Sequence, residues 1–307
     1  LTLRDAWRFT KSDVLIHALP IFHTHGLFVA TNVTLFSGAS MVLLPKFDAA
    51  RILDLMARAT VLMGVPTFYV RLLESATLNV AATARMRLFI SGSAPLLAET
   101  HREWQARTGH AILERYGMTE TNMNTSNPYD GARVAGTVGL PLPGTEVIVT
   151  DPDTGTQLPQ GEIGMIEVRG ANVFKGYWRM PEKTAAELRA NGFFITGDLG
   201  RIDDKGYVHI VGRAKDLIIT GGYNVYPREV EDALLEHPAV SSAAVVGVAD
   251  EKWGEAVTAF VVLRPGVEID ADALKAHVRQ LRGPISAPKA ILFEDVLPVT
   301  PLGKIDR

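Results

Sequence analysis

The sequence predicts a mixed fold: an α/β part that combines a βα layered sheet with a small β-barrel-like region, followed by a small α+β domain. Three observations predict it. Residues 14–113 alternate between short apolar runs and helical periodicity, which is the pattern of βα layers. Residues 136–207 change to short alternating strands between Pro and Gly turns, which is typical of a small barrel or a distorted sheet. From about residue 212 the pattern becomes that of a compact α+β unit.

Short apolar runs in the first part predict buried strands. They are Val14 to Leu19, Met41 to Leu44, Val61 to Met63 and Leu88 to Ile90. Helical periodicity lies between them. Asp48 is expected to cap one helix, because a carboxylate can accept the free N–H groups of a first turn. Pro66 suits the first turn of a second helix that runs to about Ser75, since the missing N–H has no helical partner there.

The later elements follow from the same patterns. Alternating apolar residues predict strands at residues 147–149 and 166–168. The α+β unit is predicted to contain, in order, a strand from Leu217 to Thr220, a helix from Pro227 to about His237, strands from Val240 to Val248 and Ala256 to Leu263, a helix from Asp270 to Leu281, and a strand near Ile291. We therefore predict two domains, residues 1–214 and residues 215–307.

Composition excludes several classes of function. A formal net charge of -3 over 307 residues gives no diffuse cationic surface, so we expect no nucleic-acid partner. The chain has no cysteine, which excludes disulfides, thiolate metal sites and a cysteine nucleophile. Any thioester chemistry must therefore use the thiol of a cofactor. No apolar run is long enough to span a bilayer, so we expect no membrane partner and a soluble, cytoplasmic protein.

Two segments near the middle of the chain carry candidate ligand groups. RYGMTE, from Arg115 to Glu120, combines an aromatic ring, a hydroxyl and a carboxylate, which suit a purine, a phosphate oxygen and Mg²⁺. A turn with a capping Thr would use the same residues. SGSAPL, from Ser91 to Leu96, follows a predicted buried strand and precedes a helix, where α/β folds bind ligands. An ordinary strand-to-helix turn is the alternative.

Two further segments lie near the predicted domain boundary. TGDLG, from Thr196 to Gly200, sets Asp198 in a glycine-flanked turn, where its carboxylate could accept both hydroxyls of a ribose. GRAKDLIITGGYNVYPREVE begins at Gly212 and joins basic side chains to a Gly-Gly pair. Glycines at that point permit close backbone approach and unusual torsions.

These four segments, together with PLGKIDR at residues 301–307, resemble the AMP-forming acyl-CoA synthetases, adenylation domains and luciferases. The resemblance extends from about Leu19 to the last residue. It implies ATP, Mg²⁺ and coenzyme A as cofactor and co-substrates, and a small C-terminal domain that is mobile.

The resemblance also implies a role for individual residues. It assigns Tyr116 to adenine stacking, Thr119 to the α-phosphate, Glu120 to Mg²⁺, Asp198 and Arg213 to the ribose, Gly92, Ser93, Ala94 and Gly117 to the nucleotide and acyl pocket, Lys304 to the carboxylate and α-phosphate oxygens, Lys215 to the hinge, and Gly221 and Gly222 to the pantetheine channel. A cation at Lys304 is chemically reasonable, because negative charge gathers on those oxygens during adenylation.

Within the family, the run from Gly64 to Leu73 together with SGSAPL and RYGMTETNMNTSNPY is most similar to malonyl-CoA synthetases. Arg71 is then expected to bind the second carboxylate of malonate, with Ser93 as a further hydrogen-bond partner. Met118 and His23 are expected to border the acyl pocket. A solvated Arg71, or one paired with Glu74, is the alternative. His17, His23 and His25 lie close together in the sequence, but they lack acidic or thiolate companions and do not predict a metal site.

Two features depart from the family pattern. The Gly-, Ser- and Thr-rich phosphate loop of the family lies N-terminal to this sequence, which begins without Met, so we expect the chain to be part of a longer protein. The segment from Leu281 to Ile291 lacks the usual aromatic-Lys pattern. A ligase for another acid, a peptide-synthetase adenylation domain and a non-catalytic remnant therefore stay open as alternatives.

Overall fold

The computed structural model of the chain describes residues 1–300 and 305–306. Two compact units are present, one of residues 1–196 and 201–210, and one of residues 197–200 and the chain from 211 onward. Each unit has its own buried apolar core. The described part of the chain holds no helix with the length and apolar character that crossing a membrane requires.

A seven-stranded sheet forms the centre of the first unit. Its strands are β1 Val14–His17, β2 Ser40–Leu43, β3 Val61–Gly64, β4 Leu88–Ser91, β5 Leu113–Tyr116, β6 Thr125–Ser126 and β7 Leu140–Pro141. The order is β2-β1-β3-β4-β5-β6-β7. The first five strands pair in parallel and the last two in antiparallel fashion. Every residue of β3 and β4 is buried, which is why these strands appear as continuous apolar runs.

The first unit also contains six α-helices among the described residues. They are α1 Thr2–Ala6, α2 Asn32–Phe36, α3 Ala49–Met56, α4 Pro66–Leu73, α5 Ala98–Thr108 and α6 Pro181–Glu187, with a π-helix at His25–Thr31 before α2. The predicted Asp48 cap is confirmed, since its carboxylate accepts a hydrogen bond from Arg51 N at 3.0 Å. Pro66 occupies the first turn of α4 as predicted. Trp104 of α5 packs edge-on against Tyr69 of α4 and Phe89 of β4, with both pairs of ring centroids 5.0 Å apart.

The predicted barrel-like region is an open sheet. Its strands are β8 Thr145–Thr150, β9 Gly164–Gly170, β10 Phe194–Ile202 and β11 Val208–Arg213. The described strands pair in the order β11-β10-β9-β8, so the sheet does not close on itself and the barrel-like expectation is corrected. Four strands with one small apolar cluster, built on Val147, Ile166, Val168 and Val208, are too few to enclose an interior.

The second unit has the predicted α+β order. It contains a 3₁₀ turn at Ala214–Asp216, β12 Ile218–Thr220, β13 Tyr223–Val225, α7 Pro227–Leu235, β14 Val240–Asp250, β15 Gly254–Leu263, α8 Ala271–Arg282 and β16 Ala290–Phe293. The long β14–β15 hairpin is its centre, and β16 adds in parallel to β15. Val230 and Leu234 of α7 and Leu274 and Val278 of α8 are buried in the core of this unit.

Candidate functional site

The C-terminal ends of β3, β4 and β5 meet at one edge of the first sheet, because the three strands are parallel neighbours. The loops that follow β4 and β5 carry Gly92, Ser93 and Ala94 on one side and the residues 117–120 on the other. This edge is where open α/β sheets bind ligands. The structure therefore brings the SGSAPL and RYGMTE segments together as neighbouring loops.

Arg115 is a site residue that sequence reasoning missed. It lies in β5 with only 3% of its surface exposed. Its Nε and Nη2 atoms are buried and have no hydrogen-bond partner among the described residues. Burial lowers the pKa of its guanidinium to about 9, which still leaves it charged at neutral pH. A buried cation with two unpaired nitrogens is costly, so this guanidinium is a candidate for binding an anionic ligand.

Gly92 lies directly against that guanidinium. A Cβ atom at position 92 would collide with the Nε, Cζ and Nη1 atoms of Arg115. Only a residue without a side chain lets the loop approach the strand this closely. The packing of the Arg115 guanidinium therefore requires glycine at position 92.

Ser93 and His25 face each other beside Gly92. Ser93 has a φ of 71°, uncommon for a residue with a side chain. Its Oγ lies 3.2 Å from His25 Nδ1. Burial lowers the pKa of His25 well below its usual value, so the imidazole is neutral at neutral pH. His25 Nε2 is buried without a hydrogen-bond partner among the described residues. The next histidine in the loop, His23, accepts a hydrogen bond from His25 N at 3.2 Å.

The RYGMTE loop contacts two other parts of the first unit. Thr119 Oγ1 lies 3.2 Å from Thr24 Oγ1, which joins it to the loop before the π-helix. Tyr116 is partly buried and packs on the apolar cluster of the second sheet. Gly117 and Met118 lie between these contacts and are partly exposed. The Tyr116 side chain thus packs on one side against an apolar cluster and keeps part of its surface exposed.

Glu120 is held by the segment before α6. Phe174 N donates to the Glu120 carbonyl oxygen at 2.7 Å. Tyr177 Oη lies 3.2 Å from Glu120 Oε1 and 2.5 Å from Glu187 Oε2. Burial, and then the hydrogen bond to Glu187, raise the pKa of the Tyr177 phenol far above its usual value, so the phenol stays protonated.

The donor set at Glu120 fits Mg²⁺. No cluster of three or more His, Cys, Asp or Glu residues suited to a metal occurs in the described part of the chain. Mg²⁺ commonly takes one or two carboxylates and completes its shell with phosphate oxygens and water. A single carboxylate at Glu120 is therefore sufficient on the protein side when a nucleotide supplies the rest.

Arg71 lies in a different environment from Arg115. It is exposed on α4, and its guanidinium lies over the Phe47 ring at 4.3 Å from the ring centroid. It lines an open surface groove with Ala49, Leu53 and Glu74. Ser93, the predicted companion of Arg71, instead faces His25.

In the second unit, Asp198 and Arg213 form an ion pair, with Arg213 Nε 2.8 Å from Asp198 Oδ1. The Asp198 side chain is 7% exposed and that of Arg213 is 45% exposed. Lys215 lies in the 3₁₀ turn that follows. The structure thus joins the two residues that the sequence analysis assigned to a ribose. Lys304 lies outside the described residues.

Gly221 and Gly222 occupy the β12–β13 turn with φ values of 58° and 82°. Gly221 N donates to the Trp253 carbonyl oxygen at 2.7 Å. The ammonium groups of Lys252 and Lys289 lie 4.9 and 5.0 Å from the centroid of the Trp253 ring. A partly exposed indole with two cations beside it suits a ligand that combines a planar ring with negative charge. Sequence reasoning missed Trp253 and Lys252, because no local pattern links them to the glycines.

Comparison with known proteins gives two family matches. A family described as AMP-binding enzyme matches residues 1–178. Its C-terminal domain family, described as AMP-binding enzyme C-terminal domain, matches residues 229–304.

Individual relatives agree with these matches. A long-chain-fatty-acid–CoA ligase of Bacillus subtilis is 40% identical over 98% of this chain and 55% of its own length. The mitochondrial malonate–CoA ligase of Mus musculus is 38% identical over 99% of this chain and 58% of its own length. The crystal structure of ATP-bound MatB from Rhodopseudomonas palustris is 64% identical with a TM-score of 0.97, covering 99% of this chain and 60% of that one. The chain therefore spans somewhat over half the length of the relatives it matches.

Proposed function

The chain belongs to the family of AMP-binding enzymes, and from this premise we propose that the protein joins malonate to coenzyme A with ATP, through a malonyl-AMP intermediate. In the first half-reaction a malonate oxygen attacks the α-phosphorus and pyrophosphate leaves. In the second the thiol of coenzyme A attacks the acyl carbon and AMP leaves. The thiol is that of the co-substrate, and the chain itself has no cysteine.

The observation that carries malonate, rather than an apolar acid, is the buried guanidinium of Arg115. Its Nε and Nη2 have no partner among the described residues, beside the loop of Gly92 and Ser93. A dicarboxylate brings a second negative charge that needs such a partner, whereas a fatty acyl chain would leave the cation unpaired. The malonate–CoA ligase of Mus musculus among the relatives supports the same choice. Arg71 remains the alternative partner for that carboxylate.

The residues of the first unit support the adenylation half-reaction. We propose that the Tyr116 ring stacks on adenine and that the Thr119 hydroxyl binds the α-phosphate. The carboxylate of Glu120 would hold Mg²⁺, which supplies positive charge at the phosphate oxygens. His23, Met118 and Ala94 would border the acyl group.

Residues of the second unit support contacts with the ribose, the reacting carboxylate and coenzyme A. We propose that Asp198 and Arg213 bind the ribose hydroxyls and that Lys304 neutralises charge on the reacting carboxylate. Lys215 would be the hinge between the predicted domains 1–214 and 215–307. Gly221 and Gly222 would flank the pantetheine arm, and the cationic surroundings of Trp253 favour the nucleotide end of coenzyme A.

Two alternatives are tested beside this proposal. A ligase for another acid is suggested by the long-chain-fatty-acid–CoA ligase among the relatives. A catalytically incomplete remnant is the second. We expect the reaction to take place in the cytoplasm.

The test is the acid specificity of the full-length protein that contains this chain. AMP release would be followed with malonate, acetate and laurate, each with ATP, Mg²⁺ and coenzyme A. We expect kcat/KM for malonate to exceed the other values by about 100-fold, the effect of one buried ion pair. A preference for laurate would support the long-chain alternative instead. Failure with every acid, in a protein that still binds ATP, would support the remnant.

A further inference from the structure

Glu120 is fixed at two points by one short segment of the chain. Phe174 N donates to its carbonyl oxygen at 2.7 Å. The Tyr177 hydroxyl lies 3.2 Å from its Oε1 atom. The first contact fixes the backbone of Glu120 and the second fixes the direction of its carboxylate. These residues are 54 and 57 positions away in sequence, so neither contact is a local turn.

Tyr177 is itself held in place. Its N–H donates to Thr184 Oγ1, in the middle of α6, at 2.9 Å. Its ring packs edge-on against Phe174, with centroids 4.8 Å apart. Lys183 Nζ lies 4.4 Å from the ring centroid on the α6 side. The phenol therefore has little freedom to move relative to Glu120.

Glu187, at the end of α6, fixes the hydroxyl. Tyr177 Oη lies 2.5 Å from Glu187 Oε2, a short charge-assisted hydrogen bond. A phenol has one proton to donate, and the shorter contact marks Glu187 as its main acceptor. Glu120 Oε1, at 3.2 Å, accepts the smaller share of the same proton, which sets the direction of the carboxylate and leaves its other oxygen to a cation.

We propose that Tyr177 is a positioning residue, anchored by Glu187, which orients the Glu120 carboxylate for the divalent cation bound with ATP. This inference rests on the proposed function, in which Glu120 is the cation ligand. Groups that orient a metal-binding carboxylate commonly change metal affinity by about 10- to 100-fold when they are removed. Neither Tyr177 nor Glu187 belongs to the segments that the sequence analysis assigned to ligands.

The experiment measures cation binding directly in the full-length protein. Mn²⁺ would be titrated in the presence of a non-hydrolysable ATP analogue, with free Mn²⁺ followed by electron paramagnetic resonance. We expect Tyr177→Phe to weaken Mn²⁺ binding about 10-fold, because the phenyl ring keeps the packing but loses the hydroxyl. Glu187→Ala should weaken binding similarly, and Glu187→Gln should restore most of it, since an amide oxygen still accepts the phenol.

The matched control is Tyr207→Phe. The Tyr207 hydroxyl donates to the Ala132 carbonyl oxygen at 2.9 Å and has no carboxylate partner among the described residues. This variant should leave Mn²⁺ affinity unchanged. In steady-state assays, Tyr177→Phe should raise the Mg²⁺ concentration for half-maximal rate and leave kcat at saturating Mg²⁺ nearly unchanged.

Two outcomes are distinguished by Glu120→Gln. If Glu120→Gln weakens Mn²⁺ binding and Tyr177→Phe does not, the positioning role is wrong while the assignment of Glu120 stands. If Glu120→Gln has no effect either, the assignment of Glu120 in the proposed function fails. A Tyr177→Phe protein that loses thermal stability and kcat with unchanged Mn²⁺ affinity would show a purely structural role.

Discussion

At the scale of single residues, the sequence motifs identified the SGSAPL and RYGMTE loops but not the buried charge of Arg115 beside them. Arg115 is the first residue of RYGMTE, yet its burial and missing partner are visible only once β4 and β5 are paired. Tyr177 was missed for a similar reason, because its contact with Glu120 spans 57 positions. Motif reasoning reports which groups are present, while long-range contacts decide which of them face each other.

A substitution at Arg115 tests the partner of the second carboxylate. Arg115→Met should lower kcat/KM for malonate by about 30- to 1000-fold, because the ligand charge loses a desolvated partner. The value for propionate should change much less. Arg71→Ala should raise the KM for malonate by a smaller factor. The measurement is the ratio of kcat/KM for the two acids in each variant.

Arg133→Met is the control for that comparison. The Arg133 guanidinium donates to the carbonyl oxygens of Pro128, Ala111 and Tyr129, so its removal affects loop stability and not acid selectivity. If Arg71→Ala alone changes the malonate-to-propionate ratio, the carboxylate partner is Arg71 and Arg115 has another role.

At the scale of elements, apolar runs predicted the strands that are buried on both faces, such as β3 and β4. They did not predict β5, because its sequence LERY contains two charged residues. Those charges are tolerated because His101 Nδ1 lies 3.1 Å from Glu114 Oε1 and because Gly92 leaves room for Arg115. The expectation of a barrel-like region was wrong because alternation of apolar and polar residues indicates that a strand is buried on one face. It does not indicate whether the sheet closes into a barrel.

The N-terminal ends of β1, β3 and β4 are joined by one carboxylate. Asp13 accepts hydrogen bonds from Arg87 Nε and Nη2 at 2.7 Å and from Thr60 Oγ1 at 2.8 Å. Asp13, Thr60 and Arg87 each directly precede one of these strands. Burial by itself would raise the pKa of the Asp13 carboxyl, but the bonds from Arg87, Thr10 and Thr60 outweigh it and lower the pKa.

This arrangement predicts an acid-sensitive contribution to stability. The folded pKa of Asp13 lies below the unfolded value of about 4, so its stabilisation is complete above that pH and is lost as the pH falls through the folded pKa. Asp13→Asn should lower the free energy of unfolding by about 3 kcal/mol at pH 7. The difference from wild type should shrink below about pH 4. Denaturant unfolding at several pH values measures both effects.

Asp54→Asn provides a matched comparison. Asp54 pairs with Arg51 at 2.9 Å, with side chains 66% and 50% exposed, and such surface pairs contribute at most about 1 kcal/mol. Equal losses for the two variants would show that Asp13 does not join the strands as described.

At the scale of the whole molecule, the chain is built of two units with separate cores. The fold class could be predicted because each unit has its own periodicity, βα alternation in one and a hairpin with two amphipathic helices in the other. The predicted boundary after residue 214 stays a prediction, as does the hinge at Lys215. Hydrophobic periodicity indicates which residues each core buries. It contains no information on a hinge motion.

The prediction for the whole molecule concerns Lys304, which we expect to act in adenylation and not in thioester formation. Lys304→Ala should lower ATP–pyrophosphate exchange with malonate by about 100-fold or more, because a cation at the reacting oxygens is lost. Thioester formation from supplied malonyl-AMP should be nearly unchanged. Lys275→Ala, which removes only a surface contact with Asp272, is the control. Equal damage to both half-reactions would contradict a role for Lys304 in adenylation alone.

The close approach of Gly92 to Arg115 also limits how this protein can be engineered. A saturation library at position 92 is expected to yield active clones only with glycine there, because a Cβ at this position would collide with the buried Arg115 guanidinium. Directed evolution toward bulkier acids must therefore start from neighbouring positions such as Ser93 or Met118, where a side chain is already present.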